Sequence, residues 1–313
     1  MSRLKSILLI TTGGTIASID EGRGLTPSIT GEELLKYIPE FENVCYVNCI
    51  NLFNIDSTDI NGEHWVDITN CIKTQYDLYD GFVITHGTDT LSYSSAVLSH
   101  MIINSYKPII LTGSQYPINV NGSDAKDNLV DALRCAASEK IHGVNVVFAH
   151  KVIDGRYAKK MHTKKIDAFD SINHPLVATV NSEKIILNSN SSHGDDEFVN
   201  DVKFCLEINT DIFVLKIVPG ISSEILETIF KLYRGIIIEC TGIGGVPAYI
   251  KKKLCKLIEL HPEKKVYFCS QVIYDGTDLD VYEVGADLSH YHNVYTSNDD
   301  TLEECFAKLV CMV

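Results

Sequence analysis

The sequence predicts an α/β protein made of a larger N-terminal domain with a mainly parallel sheet and a smaller C-terminal α/β domain. Three observations carry that expectation. Short β-branched or apolar runs, each bounded by glycine, proline or polar residues, recur along the chain and read as strands buried on both faces. Between them lie segments whose apolar residues return at helical spacing, and strands alternating with helices imply βαβ units. The chain has 313 residues, too many for most single domains, and the alternation breaks once, near residue 190, before it resumes.

Taken in order, the strands of the first half are residues 6–12 (SILLITT), 81–87 (GFVITHG), 107–114 (KPIILTGS) and 143–150 (GVNVVFAH). Helices are expected over 62–77, 91–104 and 124–138 from their apolar recurrence. A further helix opens at Thr30, which stands three residues before Glu33 in a capping-box arrangement. From about residue 186 the sequence becomes LNSNSSHGDDEFVND, rich in Asn, Ser and Asp with little to bury, and reads as a linker. We therefore expect an N-terminal domain over 1–188, a linker over 189–208 and a C-terminal domain over 209–313. The second domain repeats the alternation: the strand DIFVLKIVPG, a helix over 222–233, the strand GIIIEC, a helix over 247–260, the strand KVYFCSQV and a last helix from Thr301. Lys251, Lys252 and Lys253 read as the solvated face of the second of these helices.

Composition narrows the partners. Hydrophobic residues are 45% and charged residues 22% of the chain, the balance of a packed globular protein. A formal net charge of −14 repels phosphate backbones and anionic headgroups, so neither nucleic acid nor a membrane surface is expected. A small zwitterion remains an acceptable ligand. Only Ile7 to Ile10 is continuously apolar near the N-terminus, too short for a signal-peptide core, and nothing approaches the ~20 apolar residues of a membrane span. The expectation is a cytoplasmic protein. Its ten cysteines show neither a CxxC pair nor histidines at zinc-finger spacing, and read as small buried hydrophobes with reduced thiols. Cys45 and Cys49, four apart in an apparent strand, share one face.

Three strand ends carry residues suited to chemistry. Thr11-Thr12-Gly13-Gly14-Thr15 follows the first strand, where ligands of doubly wound sheets bind; it is also compatible with a plain turn, and it lacks both the GxGxxG and the P-loop pattern. Thr85-His86-Gly87-Thr88-Asp89-Thr90 places hydroxyls, a carboxylate and N–H groups at a second strand end, although Asp89 or Thr90 could simply cap the next helix. Asp154-Gly155-Arg156 with Lys159 and Lys160 follows a third strand, and a lysine near a hydroxyl and a carboxylate can serve a proton relay, or lie on the surface. A threonine nucleophile needs a base and donors for an oxyanion, so the three ends together contain the parts of an acyl transferase.

TTGGTIAS and ITHGTDT resemble the two signature motifs of the asparaginase/glutaminase family, and the similarity continues through NIDSTD, TGSQYP, DAKDNLVDA, VIDGR, DAFDSIN and YEVG. It looks closest to the cytoplasmic type I bacterial enzymes. The resemblance implies L-asparagine hydrolysis to aspartate and ammonia with Thr15 as nucleophile on a mobile flap, and Thr88, Asp89 and Lys160 as a second catalytic grouping. It further implies substrate contacts from Gly14, Asp56, Ser57, Gly87, Thr88, Asp89 and Ser114: Ser57 to the α-carboxylate, Asp89 to the α-ammonium, and the backbone at Thr15, Thr88 and Ser114 to the scissile amide. No metal or organic cofactor is implied. The amino-acid substrate would bind at sites completed across a homodimer or a dimer of dimers.

Three positions depart from the family pattern. Leu25 stands where many members carry a flap tyrosine, with Thr26 next to it. Glu239 and Val272 stand where some type I enzymes use an arginine and a cysteine to bind regulatory asparagine, so no activation by asparagine is expected. The rival readings are a mixed glutaminase-asparaginase, since one methylene is worth about 1–3 kcal/mol of selectivity, the amidase component of a tRNA-dependent amidotransferase, which usually has an extra N-terminal domain, and a non-catalytic amino-acid sensor on the same fold.

Overall fold

The structure is a computed structural model that describes residues 3–20, 24–181, 184–189, 201–279, 288 and 290–312. The chain divides into two compact units, Met1–Leu206 and Glu207–Val313. The first is organised by an eight-stranded sheet, whose strands we number in chain order: β1 (Lys5–Gly13), β2 (Cys45–Ile55), β3 (Gly81–Thr85), β4 (Pro108–Thr112), β5 (Gly143–Phe148), β6 (Lys151–Asp154), β7 (Ala178–Asn181) and β8 (Lys184–Leu187).

Across the sheet the order is β8-β7-β6-β5-β4-β3-β1-β2. The five strands from β2 to β5 are parallel, and β6, β7 and β8 extend the sheet antiparallel. The sequence reading anticipated the parallel strands but not this antiparallel extension. The runs that lack polar alternation are indeed buried on both faces: every residue of β3 and β4 is buried. Ile7 and Leu9 of β1, Val83 of β3, Ile110 of β4 and Val147 of β5 pack on one face with Leu34 and Leu35 of the helix Gly31–Leu35 and Leu129 and Leu133 of the helix Ala125–Ala136. Their neighbours Leu8, Ile10, Phe82 and Ile84 point the other way and are also fully buried. The helix Leu91–Met101 packs against β4 and β5 and against the helix Gly62–Gln75.

Local chemistry sets the helix starts. Thr30 and Glu33 form the expected capping box, with the Thr30 side chain accepting from Glu33 N and the Glu33 carboxylate accepting from Thr30 N at 2.9 Å. The helix it opens is only Gly31–Leu35, shorter than the pattern suggested. Cys45 and Cys49 lie in β2, where burial pushes both thiols up to about 12.

Of the segment expected as a linker, residues 190–200 lie outside the described residues, and its later part is not a free connection. Lys203–Phe204 pairs antiparallel with Ile102–Ile103, so the chain stays with the first unit to Leu206. The backbone polar groups of Lys203 and Phe204 find partners there despite the polar sequence that precedes them.

The second unit is a four-stranded parallel sheet in chain order, Ile212–Lys216, Gly235–Cys240, Lys265–Ser270 and Val294–Thr296. Ile236, Ile238, Val266 and Phe268 face a core shared with the helices Ile225–Leu232 and Ala248–Leu260. Ile237, Tyr267 and Cys269 face Cys305 and Leu309 of the helix Leu302–Cys311, which Thr301 caps by accepting from Glu304 N at 3.2 Å. Of the three consecutive lysines, Lys252 is exposed, whereas Lys253 reaches back to Glu227 at 2.8 Å.

Candidate active site

In the parallel part of the first sheet the order β2-β1-β3-β4-β5 reverses direction between β1 and β3. Connections leave the two strands toward opposite sides there, which opens a crevice beyond their carboxyl ends. Four segments singled out from the sequence converge on it: the Gly13-Gly14-Thr15 turn after β1, Asp56-Ser57 after β2, His86–Thr90 after β3 and Gly113–Tyr116 after β4.

The convergence is close enough to need glycine. Gly14 has φ +78°, and a Cβ there would sit 2.5 Å from Gly87 Cα; a Cβ on Gly87 would sit 2.6 Å from both Cβ and Oγ of Ser57. Backbone therefore stacks on backbone from the β1 turn through the β3 loop to Ser57. Hydroxyl bonds tie the same layers: Thr12 Oγ1 donates to Thr85 O at 2.8 Å and Thr90 Oγ1 to Ser57 O at 2.6 Å. The capping alternative for this loop is not realised, because Thr90 occupies the N-cap of Leu91–Met101 without a side-chain cap bond.

Thr15 and Thr88 each stand one residue beyond the Gly14–Gly87 contact. Thr15 is half-buried and opens a short 3-10 turn, Thr15–Ala17, whose Ile16 and Ala17 are buried. The chain continues into an antiparallel pair, Ser18–Asp20 with Leu25–Pro27. The backbone of Leu25 belongs to this pair, and its side chain lies outside the described residues.

Lys160 reaches the crevice from a separate hairpin, Ala158–Lys160 with Phe169–Ser171. Its Nζ donates to Thr88 Oγ1 at 2.7 Å and to Asp89 Oδ1 at 2.6 Å. The Lys160 side chain is 17% and that of Asp89 61% exposed, so the amine is largely withdrawn from water and the carboxylate still open to a ligand. Thr88 Oγ1 donates in turn to Gln115 Oε1 at 3.3 Å, and Gln115 Nε2 donates to Lys165 O at 3.0 Å and His162 O at 3.4 Å. Arg156 is excluded from this group by folding onto Asp154 with two bonds of 3.0 and 2.7 Å.

Ser57 is buried, and Asp56 beside it is exposed and caps the Ser57–Asp59 turn, accepting from Thr58 N at 2.8 Å and Thr58 Oγ1 at 2.9 Å. Ser114 is buried and donates to Tyr116 O at 2.5 Å. The turn that carries it is held by the DAKDN segment. Asp124 accepts from Gln115 N at 3.0 Å and Tyr116 N at 3.2 Å, and Asn128 Nδ2 donates to Gly113 O and to Asp124, each at 3.0 Å. Burial raises the Asp124 carboxyl and the two backbone donors oppose it.

Sequence reasoning did not single out Gln115, Asp124, Asn128 or His86 for the site. Only their places inside the matched motifs hinted at them. His86 is completely buried behind the loop, and burial pulls its imidazole down to about 4 against the raising effect of the Gly87 carbonyl. Among the described residues no group of three or more His, Cys, Asp or Glu could hold a metal ion, and no helix is long and apolar enough to cross a membrane. In the second unit Glu239 pairs with Lys216 at 3.4 Å and Val272 is exposed. The YEVG motif at 282–285 lies outside the described residues.

Residues 6–193 match the family described as Asparaginase, N-terminal, and residues 211–313 match the Glutaminase/Asparaginase C-terminal domain. The chain is 35% identical to an L-asparaginase of Thermococcus kodakarensis over 97% of its own length and 91% of the relative's. The structure of the thermostable L-asparaginase from that organism superposes with a TM-score of 0.89 at 33% identity, covering 98% of this chain and 92% of that one. L-asparaginase I from Vibrio cholerae O1 biovar eltor str. N16961 follows at a TM-score of 0.86 and 29% identity, covering 99% and 93%. A glutamyl-tRNA(Gln) amidotransferase component of Pyrococcus abyssi is 38% identical over 91% of this chain and 67% of its own length. With both family domains matched in order and the strand ends of the first gathered at one crevice, the chain belongs to the asparaginase family of amide hydrolases.

Proposed function

We propose that this protein hydrolyses L-asparagine to L-aspartate and ammonia, with Thr15 as the nucleophile. The observation that carries the reading is the Thr88–Lys160–Asp89 group, with bonds of 2.7 and 2.6 Å, on a loop whose Gly87 packs against Gly14, the residue before Thr15. A hydroxyl is a weak nucleophile unless a base takes its proton, and Thr88 with Lys160 supplies a relay for that proton or for one from water.

In the first step Thr15 Oγ1 attacks the side-chain amide carbon, the C–N bond breaks, and ammonia leaves with the proton the relay delivers. The product is an ester on Thr15. Water then attacks the ester carbon, the C–O bond to Thr15 breaks, and aspartate leaves with the threonine hydroxyl restored. Backbone N–H groups of Thr15 and Thr88 stabilise the oxyanion, and such a donor is worth about 10²–10³ in rate. Ser57 takes the α-carboxylate, with Asp56 beside it at the substrate site; Gly14 and Gly87 let the backbone approach, Asp89 takes the α-ammonium, and Ser114 positions the amide. We further propose a cytoplasmic homodimer or dimer of dimers that uses no cofactor.

The test is ammonia release from L-asparagine, L-glutamine and D-asparagine in parallel, with Thr15→Ala as the blank. Turnover of L-asparagine that falls on the order of 10³-fold or more in the variant supports the reading. The kinship to amidotransferase components, of which the chain spans about two thirds, favours glutamine as the second substrate to examine. Ligand binding without any turnover would instead favour an amino-acid sensor.

A further inference from the structure

The loop that bears Thr88 is held from behind by a residue with no part in the reaction just outlined. His86 has no exposed surface. Its Nδ1 lies 2.7 Å from Gly87 O and its Nε2 2.9 Å from Ser94 Oγ, while Trp65 Nε1 donates to that same serine oxygen at 2.8 Å. Trp65 is 5% and Ser94 0% exposed, so the whole chain is withdrawn from water.

Donor and acceptor roles follow from the groups present. A carbonyl only accepts, so His86 Nδ1 carries the hydrogen, and neutral imidazole then offers Nε2 as an acceptor. Ser94 fills it with its O–H, and the indole N–H, which only donates, takes a serine lone pair. The chain therefore runs one way, from Trp65 through Ser94 and His86 to the Gly87 carbonyl. In a trans peptide the C=O of one residue and the N–H of the next point in opposite directions. Pinning Gly87 O toward the buried ring turns Thr88 N–H away from it.

We propose that His86 is a positioning residue: through the Gly87 carbonyl it locks the Thr88 N–H as a donor to the substrate amide oxygen, where charge develops in the tetrahedral intermediate. This rests on the amide hydrolysis proposed above. A donor aimed in advance needs no reorganisation during the reaction, so losing the lock acts on kcat more than on KM.

The experiment compares His86→Phe, which keeps a ring and loses the donor, with His86→Asn, whose side-chain NH2 stands in the place of Nδ1, both assayed below their melting temperatures. His86→Phe should lower kcat about 30- to 100-fold with KM within about threefold, and His86→Asn should recover kcat to within about fivefold of the wild type. Equal impairment of the two variants, or a His86→Phe kcat within threefold of the wild type, overturns the proposal. Should His86→Phe not fold, Ser94→Ala replaces it: the ring stays but loses the hydroxyl that fixes its tautomer, and an unchanged kcat is the overturning result. If the wild type itself releases no ammonia, it is the proposed function that fails. The lock is then decided by hydrogen exchange across residues 86–90, which should quicken in His86→Phe and return toward the wild-type rate in His86→Asn, and no difference overturns it.

Discussion

Acidification from pH 7 to pH 5 should remove about 2 kcal/mol of stability through His86 alone. In the unfolded chain a histidine takes its proton near 6.5, whereas burial lowers the folded value to about 4. Between those limits the unfolded state binds the extra proton, so stability is full above about 6.5 and declines as the pH falls toward 4. Taken through the whole range from 6.5 to about 4 this amounts to ~3 kcal/mol, of which ~2 kcal/mol is lost by pH 5. Asparagine does not titrate, so the advantage of the wild type over His86→Asn should shrink by that ~2 kcal/mol between pH 7 and pH 5. For a unit of this size that is a relative fall in melting temperature of roughly 4–8 °C. Calorimetry or urea unfolding of both proteins at the two pH values measures it, and carboxylates common to both cancel. A gap that stays constant to within about 0.5 kcal/mol would refute the assignment of a neutral, proton-resistant imidazole behind the loop.

Other expectations test separate parts of the structure. Lys160→Met should abolish turnover by about 10³-fold or more while leaving the melting temperature within a few degrees, because Lys160 serves a partly open crevice rather than the core; steady-state ammonia release and calorimetry read the two effects. Gly87→Ala drives a methyl to 2.6 Å from Ser57, so it should destabilise the first unit by about 1–3 kcal/mol and lower activity together, as urea unfolding and turnover report. Asn128→Leu leaves Gly113 O and Ala149 N without their partner and should cost about 2–4 kcal/mol by chemical unfolding. Since the resemblance sets Glu239 and Val272 where some relatives carry a regulatory arginine and cysteine, the rate is expected to rise hyperbolically with asparagine, and a sigmoidal curve would show that this inference is wrong.

The large parallel sheet was legible because β3 and β4 are continuous apolar runs that only a doubly covered strand can accommodate. The helix start at Thr30 was legible because its capping side chain acts on backbone three residues away. The antiparallel extension β6 to β8 was not, since those strands are short and β8 is largely exposed, leaving little periodicity to read. The pairing of Lys203–Phe204 with Ile102–Ile103 escaped for a similar reason: two residues make a ladder in space but no pattern in sequence.

The chemical parts are already written in the chain: two threonines, a carboxylate and lysines at strand ends, glycines between them, and the motifs that mark the family. The motif resemblance named Lys160, but the sequence did not show which side chains Lys160 meets, nor whether a side chain of the loop Thr85–Thr90 caps the next helix. Those choices depend on contacts between residues about seventy apart, such as Lys160 with Thr88 and Thr12 with Thr85. They are set in three dimensions, because spacing along a chain records the period of its own strand or helix, while the partners of a hydrogen bond across a sheet are set by register and strand order.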